Sequence, residues 1–223
     1  MIEINKLTIQ FQQNRTPLFD QVNLCIGSGE KVLFIGPSGS GKSILLKTIM
    51  GILPESYVRE GEFKVDEKSM TYHSYCHHPI HRKFSTIFQD AVNSLHPYRN
   101  IVKQLPDLPE KMIQEACKSF RLQYHHIANE FPKNLSGGQC QRISMLFPYL
   151  LDDSRHILVF DEPITDIDPI SRKTILQLIK NRFLNQSSKT VIYVTHQHDE
   201  LKDIKFHRYV IDNNQLIDEG QKQ

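Results

Sequence analysis

The segment at residues 36–43, GPSGSGKS, most constrains the fold of this chain. The apolar run at 32–35 before it predicts a short buried strand, and the run at 44–50 after it predicts a helix. Glycines in such a loop let several N–H groups turn toward one anion, and the helix N-terminus adds the positive end of its dipole. The segment therefore predicts a phosphate-binding loop with these candidate ligands: Gly36, Pro37, Ser38, Gly39, Ser40, Gly41, Lys42 and Ser43.

Two of these side chains have specific chemistry in such a loop. Lys42 is expected to reach the β and γ phosphates of a nucleotide, and the Ser43 hydroxyl is expected to bind Mg²⁺. A solvent-exposed Gly/Ser loop could match the pattern by chance, but the strand before it and the helix after it favour the functional interpretation.

Composition limits the classes of protein to consider. The chain has 223 residues with 39% apolar content, enough for one domain or two small ones, and a formal net charge of +2. Acids and bases are interspersed, so no basic stripe indicates a nucleic-acid partner. The four cysteines form no CxxC pair, which argues against a disulfide scaffold or zinc ribbon and predicts a reduced, cytoplasmic setting. No apolar stretch approaches the roughly 18 residues of a membrane span, so any link to a membrane is expected to go through a partner.

The pattern along the chain predicts a mixed α/β fold. Near-alternating apolar residues at 2–11 and 22–26 predict antiparallel strands, with a further short strand at 62–65. Strands are also expected at 84–88, 157–160, 191–194 and 209–211, and a helix at 170–184. Strands alternating with helices imply a parallel sheet covered on both faces.

The composition changes between residues 90 and 135, where prolines and loops surround one helical pattern at 110–122. We expect a small inserted helical subdomain here. Its helix is predicted to bury one face made of Met112, Ile113, Ala116, Cys117 and Phe120.

Two carboxylates follow the apolar strand at 157–160. Asp161 and Glu162 are expected at the C-terminal edge of the sheet, where ligands of open α/β sheets bind. Asp161 would hold Mg²⁺, and Glu162 would orient or deprotonate the water that attacks the γ-phosphate. An acidic turn after a strand is common, so the pair is informative because a phosphate-binding loop accompanies it.

The segment at 134–142, NLSGGQCQR, is the most discriminating one. Ser136, Gly137, Gly138 and Gln139 lie at the start of a predicted helix and expose N–H groups and a hydroxyl suited to phosphate oxygens. Two such phosphate-binding turns serve one nucleotide only if they close on it from opposite sides.

This set of motifs resembles the ATP-binding subunit of an ABC transporter over nearly the whole chain. The resemblance implies a P-loop NTPase fold with a mostly parallel sheet, an N-terminal antiparallel β subdomain and an inserted helical subdomain. Residues 1–89 and 152–223 would form the catalytic core of this single ABC ATPase domain, and 90–151 the helical subdomain. ATP and Mg²⁺ would be the cofactors. In that family the LSGGQ of one subunit caps the ATP that the phosphate-binding loop of a second subunit holds.

The resemblance also assigns roles to single residues. Gln89 corresponds to the Q-loop residue that acts in metal binding and catalysis, Asp168 to the D-loop aspartate, and His196 to the switch histidine. Phe11 falls where the family has an aromatic that stacks on adenine. From the residues alone, Gln89 could be a polar strand end, His196 an exposed loop histidine, and Phe11 a core residue.

The implied partners are transmembrane permease subunits, a second ATPase subunit that is identical or paralogous, and an extracytoplasmic substrate-binding protein. No nucleic acid is expected. The chain would lie at the cytoplasmic face of the membrane as a peripheral subunit.

Three positions depart from the family pattern. The D-loop reads ITDIDP instead of TSALD, so Asp166 adds a carboxylate near the expected dimer contact. Ile44 stands where a threonine is frequent. Pro148 lies inside the helix expected after LSGGQ and predicts a kink or an end near Phe147.

Residues 87–97, IFQDAVNSLHP, are similar to the FQDP and SLNP pattern of peptide and nickel importer ATPases, with Ala91 and His96 in place of proline and asparagine. This similarity favours uptake of nickel, metal chelates or peptides. The nearby histidine segment, residues 72–83, carries possible metal ligands, but most loop histidines bind nothing specific, so it is not counted as a site.

Two other functions remain to be compared. One is an ABC-type ATPase not coupled to transport, acting in DNA repair, chromosome organisation or cluster assembly; repair and chromosome members generally carry long coiled coils or zinc insertions, which this length does not accommodate. The other is an ordinary P-loop kinase, in which LSGGQ and His196 would have no role.

Overall fold

The structure is a computed structural model that describes residues 1–13, 16–151, 157–164, 167–185, 189–196 and 199–222. Contacts divide the chain into two units, Met1–Phe84 with Ser187–Gln223, and Ser85–Gln186. Among the described residues no helix combines the length and apolar character needed to cross a bilayer.

The strands, in chain order, are β1 (Ile2–Phe11), β2 (Phe19–Ile26), β3 (Lys31–Ile35), β4 (Tyr57–Val65), β5 (Lys68–Met70), β6 (Phe84–Ile87), β7 (Ile157–Asp161), β8 (Thr190–Thr195), β9 (Phe206–Asp212) and β10 (Gln215–Lys222). The α-helices are α1 (Lys42–Ile49), α2 (Tyr72–Cys76), α3 (Ala91–Ser94), α4 (Glu110–Ser119), α5 (Tyr124–Ile127), α6 (Gly137–Leu150) and α7 (Pro169–Ile179). Short 3₁₀ turns lie at Pro79–Lys83, Pro132–Asn134 and Asp199–Leu201, and a π-helical turn, Lys180–Leu184, continues α7.

The first unit contains an antiparallel sheet with the strand order β2-β1-β4-β5. Along β1 the buried positions change from Ile2 and Ile4 to Leu7 and Ile9. Lys6 between them has φ 50°, and the pairing register shifts there, so this irregularity moves the apolar side chains from even to odd positions while they keep facing the core. The predicted antiparallel strands at the N-terminus are confirmed.

The same unit contains the parallel strands that position the phosphate-binding loop. Strand β3 pairs in parallel with β8 and with β9, and all six residues of β8 are buried. Parallel strands buried on both faces require continuous apolar sequence, and β8 supplies it with TVIYVT. Strand β10 pairs with β9 as an antiparallel hairpin that the sequence interpretation missed, although two asparagines at the turn were a usable signal.

The second unit contains β6, β7 and helices α3 to α7. Helix α4 buries Ile113, Ala116 and Cys117, and Phe120 just after it is buried too. These residues have the i, i+3, i+4, i+7 spacing of one helix face. Met112 is 49% exposed, so its predicted place on that face is wrong: it lies one residue, about 100° of rotation, before Ile113.

Helix α6 corrects one of the two alternatives expected for Pro148, the end of the helix. The helix continues past this proline to Leu150 and does not end near Phe147. Because proline has no backbone N–H, the Ser144 carbonyl oxygen lacks the hydrogen bond that it would otherwise accept from residue 148. Pro148 is buried, as are Met145 and Leu146, so packing of this last turn offsets the lost hydrogen bond.

The histidine segment is an ordered part of the first unit. The buried Tyr75 hydroxyl donates to the carbonyl of Ile49, and burial raises the pKa of Tyr75. The His81 ring packs against Gly51, where a Cβ would come within 2.5 Å of its Cε1 atom. In the described part of the chain, no group of three or more His, Cys, Asp or Glu side chains could hold a metal ion.

Candidate functional site

The phosphate-binding loop joins the end of β3 to the start of α1, as predicted. Gly39 and Gly41 have φ of 80° and 93°, a region that residues with a Cβ rarely adopt. Lys42 is 6% exposed, and its Nζ donates to the carbonyl oxygens of Gly36 at 3.0 Å and Pro37 at 2.8 Å. The ammonium group therefore lies within the turn of the loop.

This loop has no room for larger residues at two of its glycines. A Cβ on Gly36 would lie 2.7 Å from the Ser40 Oγ and 2.8 Å from the Ile211 carbonyl oxygen, and a Cβ on Gly41 would lie 2.9 Å from the Phe19 ring. The Ser40 Oγ is buried and has no hydrogen-bond partner within the described structure. A close backbone turn, an enclosed ammonium and an unsatisfied hydroxyl fit a bound phosphate group.

His196 directly follows strand β8, beside the phosphate-binding loop. In the parallel pairing of β3 with β8, Ile35 lies opposite Thr195. Gly36 and His196 are the next residues along each chain segment, so both follow neighbouring strands at the same edge of the sheet. The structure thus places the predicted switch histidine next to the start of the phosphate-binding loop.

A pocket of about 490 Å³ adjoins the first turn of α1. We call it the base pocket; its lining residues include Phe11, Thr16, Pro17, Ile44, Tyr57 and Asn214. The Phe11 and Tyr57 rings meet edge to face, with centroids 5.3 Å apart. Phe11 therefore lies in a pocket wall rather than in the core, and Tyr57 is an aromatic neighbour that sequence interpretation did not single out.

The second segment predicted to bind phosphate, which we call the signature turn, comprises residues 134–139 in the second unit. Ser136 caps α6: its Oγ accepts from the Gln139 N–H at 3.2 Å, and the Gln139 Oε1 accepts from the Ser136 N–H at 2.9 Å. A Cβ on Gly137 would meet nothing within 4 Å, and the nearest atom to one on Gly138 would be the Ser171 Oγ at 3.5 Å. The cap takes up the Gln139 N–H, whereas the Gly137 and Gly138 N–H groups precede the first intrahelical bond, and the free space at Gly137 leaves this end of α6 open.

The carboxylate pair lies where the strand ends. Asp161 is the last residue of β7 and is 9% exposed. Glu162 has φ 46°, uncommon for a residue with a side chain, and it directly precedes Pro163. Such a backbone conformation persists where the surrounding structure imposes it, and it is found often at functional sites.

One cavity of the second unit brings several motif residues together. It has a volume of about 490 Å³, and its lining includes Gln89, Gly137, Gln141, Pro163 and Ile167. Gln89, the first glycine of the signature turn and Ile167 of the D-loop therefore share one cavity, together with Pro163 just before that loop. Thr165 and Asp166 of the D-loop lie outside the described residues.

Asp168 and Arg142 connect α6 with α7. The Asp168 carboxylate accepts from the Ser171 N–H at 2.9 Å and caps α7. Burial lowers the pKa of the Arg142 guanidinium, and the charge of Asp168 opposes that shift. The Arg142 Nη1 would lie 3.6 Å from a Cβ on Gly138. Arg142 belongs to the segment QR after LSGGQ, and the sequence interpretation gave it no role.

This fold and this loop define a P-loop nucleotide-binding protein of the α/β class. A search against family models matches residues 19–165 to the family described as ABC transporter. The chain therefore belongs to the ABC transporter family, and its fold is that of the family's ATPase domain, whose cofactors are ATP and Mg²⁺.

Among curated relatives, the chain is 31% identical to the intermembrane phospholipid transport system ATP-binding protein MlaF of Haemophilus influenzae, over 99% of this chain and 83% of that one. It is 30% identical to a protein of Bacillus cereus described as an ABC transporter ATP-binding protein, over 99% of this chain. It spans only 39% of the length of that second relative, and the same share of three streptococcal proteins.

Solved structures show the same fold. The ATP-binding cassette MJ0796, in a dimeric structure bound to ADP and Pi, has a TM-score of 0.76 and 26% identity, covering 100% of this chain and 98% of that one. The cbiO1 protein of Clostridium perfringens has a TM-score of 0.74 and 23% identity, covering 98% and 87%. The second likeness concerns the fold alone.

Proposed function

We propose that this chain hydrolyses ATP in a head-to-tail pair of ATPase subunits and thereby drives a substrate through a membrane permease. One observation carries the proposal: the chain contains a closed phosphate-binding loop around Lys42 and, separately, an open signature turn at the start of α6. An open helix N-terminus whose first two residues are glycines is suited to a phosphate that another subunit presents.

The phosphate-binding loop would hold the nucleotide. Lys42 would exchange its bonds to the Gly36 and Pro37 carbonyls for the β and γ phosphates, charge-assisted bonds that are stronger than neutral ones. Ser43, Gln89 and Asp161 would hold Mg²⁺, which neutralises phosphate charge when it is bound. Phe11 would stack on the base.

Glu162 would act on water. Its carboxylate orients the attacking water and accepts a proton as the γ-phosphoryl group is transferred. His196, at the sheet edge beside Gly36, would contact the γ-phosphate. Asp168 would contribute at the dimer contact.

The signature turn would complete the site of the partner subunit. Because the Ser136 Oγ accepts from the Gln139 N–H, its own proton remains available to a phosphate oxygen. The Gly137 and Gly138 N–H groups add two donors at the positive end of the α6 dipole. The Gln139 side chain accepts a hydrogen bond from the Ser136 N–H, so its role is in the helix cap.

The proposed partners are permease subunits, an identical or paralogous ATPase subunit and an extracytoplasmic substrate-binding protein, with the chain at the cytoplasmic face of the membrane. The relative MlaF is named as the ATP-binding protein of a transport system, which supports a permease partner. For the substrate we propose nickel, metal chelates or peptides, from the pattern at 87–97. The name of MlaF concerns phospholipid, which makes lipid the competing outcome.

The catalytic proposal is tested with two variants and one control. Lys42→Ala should abolish ATP hydrolysis and weaken ATP binding, whereas Lys47→Ala, an exposed lysine on the same helix, should leave both unchanged. Glu162→Gln should bind ATP without cleaving it and shift to a dimer on size exclusion with ATP and Mg²⁺. Full hydrolysis by Lys42→Ala would contradict the proposal. So would a monomeric Glu162→Gln that stays monomeric when the natural partner subunit is supplied.

The transport proposal is tested by purifying the membrane partners with the chain and measuring uptake in vesicles. Uptake of nickel or peptide that stops with Lys42→Ala supports the proposed substrates, and movement of phospholipid instead would refute them. Changes at 92–98, where Val92 and Tyr98 are 38% and 86% exposed, should impair transport more than ATP hydrolysis. Equal loss of both activities would count against permease docking there.

A further inference from the structure

We propose that Asn214 recognises the base of the bound nucleotide, accepting a hydrogen bond from the 6-amino group of adenine, so that the site prefers ATP to 6-oxopurine nucleotides. This inference rests on the proposed function, because it takes the base pocket as the place where the base of ATP binds. It adds a specificity-determining residue to that pocket.

The fold places Asn214 beside the phosphate-binding loop. Strand β9 runs parallel to β3, with Val210 opposite Ile35, and a Cβ on Gly36 would lie 2.8 Å from the carbonyl oxygen of Ile211. The chain then turns within two residues, since Asp212 pairs with Gln215 across the β9–β10 hairpin. Asn214 is the second residue of that turn and lines the base pocket with Phe11.

The hairpin holds the residue firmly. Asn213 and Asn214 have φ of 47° and 64°, the positive values that a two-residue type I′ turn requires. Glycine is the preferred second residue of such a turn, because it adopts a positive φ without steric cost. The turn alone therefore does not require the side chain of Asn214.

The amide of Asn214 is oriented by a contact of its own. Its Nδ2 donates to the carbonyl oxygen of Pro17 at 3.3 Å, another residue of the pocket wall. This bond engages the donor end of the amide and leaves the Oδ1 as an acceptor. A hydroxyl group, such as those of Thr16 and Tyr57 in the same wall, can both donate and accept and so distinguishes less between bases.

Adenine and the 6-oxopurines differ at position 6 of the ring, where a hydrogen-bond acceptor of the protein distinguishes them. Adenine carries an amino group at position 6, which donates, whereas inosine and guanine carry a carbonyl there, which accepts. An Asn214 Oδ1 facing that position gains a hydrogen bond from adenine and meets a second acceptor in a 6-oxopurine. Stacking on Phe11 provides affinity for every purine and no such discrimination.

The test compares ATP with inosine triphosphate, which differs from ATP only at the 6 and N1 positions of the base. Dissociation constants are measured by calorimetry on the full chain carrying Glu162→Gln, so that hydrolysis does not interfere. We expect ATP to bind tighter than inosine triphosphate by roughly two- to tenfold, the usual effect of one neutral hydrogen bond. Asn214→Gly should weaken the binding of ATP and bring the ratio of the two dissociation constants close to one.

The control is Asn213→Gly, which changes the other residue of the same turn. The Asn213 amide donates to the Asp212 Oδ2 at 3.2 Å, and its side chain does not line the base pocket. This variant should have the same ratio of dissociation constants for inosine triphosphate and ATP as the parent protein. A circular dichroism spectrum and unfolding midpoint for each variant show that the hairpin is intact.

Equal affinities of the parent protein for ATP and inosine triphosphate would overturn the inference. So would an affinity ratio between these two nucleotides that Asn214→Gly leaves unchanged. A third such result is that Asn214→Gly changes the affinity ratio between ATP and 2′-deoxyATP, because the residue would then recognise the 2′-hydroxyl. No binding of any nucleotide would refute the proposed function as well. Binding without base preference would refute the role of Asn214 alone.

Discussion

The two glycine-containing phosphate-binding segments of this chain use glycine for different physical reasons. In the loop before α1, Gly39 and Gly41 adopt positive φ, and a Cβ on Gly41 would overlap the Phe19 ring. In the signature turn before α6, a Cβ on Gly137 would meet nothing within 4 Å. The first segment needs glycine to form its backbone, and the second needs it to keep a surface bare.

The two helices that follow these segments, α1 and α6, also differ in how their N-termini are capped. Helix α1 begins at Gly41 without a side-chain cap, whereas α6 begins with a reciprocal Ser136 and Gln139 capping box. A helix start without a cap has N–H groups to offer a ligand held within the same loop. The capping box satisfies the Ser136 and Gln139 N–H groups within α6, which leaves the Gly137 and Gly138 N–H groups for an acceptor outside the helix. This difference is the one expected under the proposed function, in which the first segment encloses its phosphate and the second approaches the phosphate held by a partner subunit.

The largest effect is expected from Gly41→Ala. A methyl group at φ 93° and 2.9 Å from Phe19 Cε2 should destabilise the fold by about 1–3 kcal/mol and weaken ATP binding, because the loop backbone must shift. Urea unfolding and ATP titration measure the two effects. Wild-type stability together with wild-type ATP affinity would show that the first segment does not depend on glycine conformation.

The next effect concerns closure of the dimer. Ser136→Arg in the Glu162→Gln background should abolish ATP-dependent dimerisation while ATP stays bound to the monomer, since the bulky side chain fills the open turn. The cost in stability should be only about 1 kcal/mol, from the lost cap. Ser136→Gly costs a cap only a few tenths of a kcal/mol and removes the proposed hydroxyl donor without adding bulk, so it should weaken the dimer without abolishing it. A dimer that survives Ser136→Arg would place the signature turn away from the contact.

A smaller effect is expected from Gly137→Ala, the direct counterpart of Gly41→Ala. The Cβ has free space, and alanine favours helices over glycine by about 0.5–1 kcal/mol, so thermal stability should stay equal or rise. Hydrolysis should fall, because the added methyl group separates the turn from the phosphate of the partner. A loss of stability similar to that of Gly41→Ala would remove the distinction between the two segments.

The smallest effect concerns pH and the turn after Gln89. Asp90 caps α3, and hydrogen bonds from Asn93 lower the pKa of its carboxyl. Because the folded pKa lies below the ordinary value, this cap stabilises the fold above that value and is lost as pH falls through the lowered pKa. Asp90→Asn should therefore flatten the acid side of a stability profile slightly. The Ser136 cap is neutral, so Ser136→Gly should leave the shape of that profile unchanged.

Much of the fold followed from local pattern. The apolar runs around the phosphate-binding loop, the spacing of Ile113, Ala116 and Cys117, and the strand before Asp161 were each recognised because burial imposes a period or a continuous apolar stretch on the sequence. Two expectations were wrong: the burial of Met112, an error in the rotation of the helix face, and the end of α6 near Phe147, which packing overrides. Met112 lies at the margin of its helix face, and Pro148 is kept within α6 by the packing of its last turn.

The roles of several residues stay predictions, while their positions are now known. Phe11 could have been a core residue, and the fold places it in the base pocket opposite Tyr57. Arg142 lies one helical turn after Gly138, which the spacing in the sequence expresses, whereas its position within the field of Asp168 depends on the tertiary structure.

The sequence by itself determined which loop has the glycines and lysine suited to phosphate, which residues follow the buried strands, and which family has this order of motifs. Those properties depend on residue types and short spacings, which a chain carries before it folds. Only the tertiary structure decided that Asn214, almost two hundred residues from Pro17, shares a pocket with it, and that Gly41 is enclosed while Gly137 is open. Such contacts depend on strand pairing and packing between distant segments, and local sequence does not encode them.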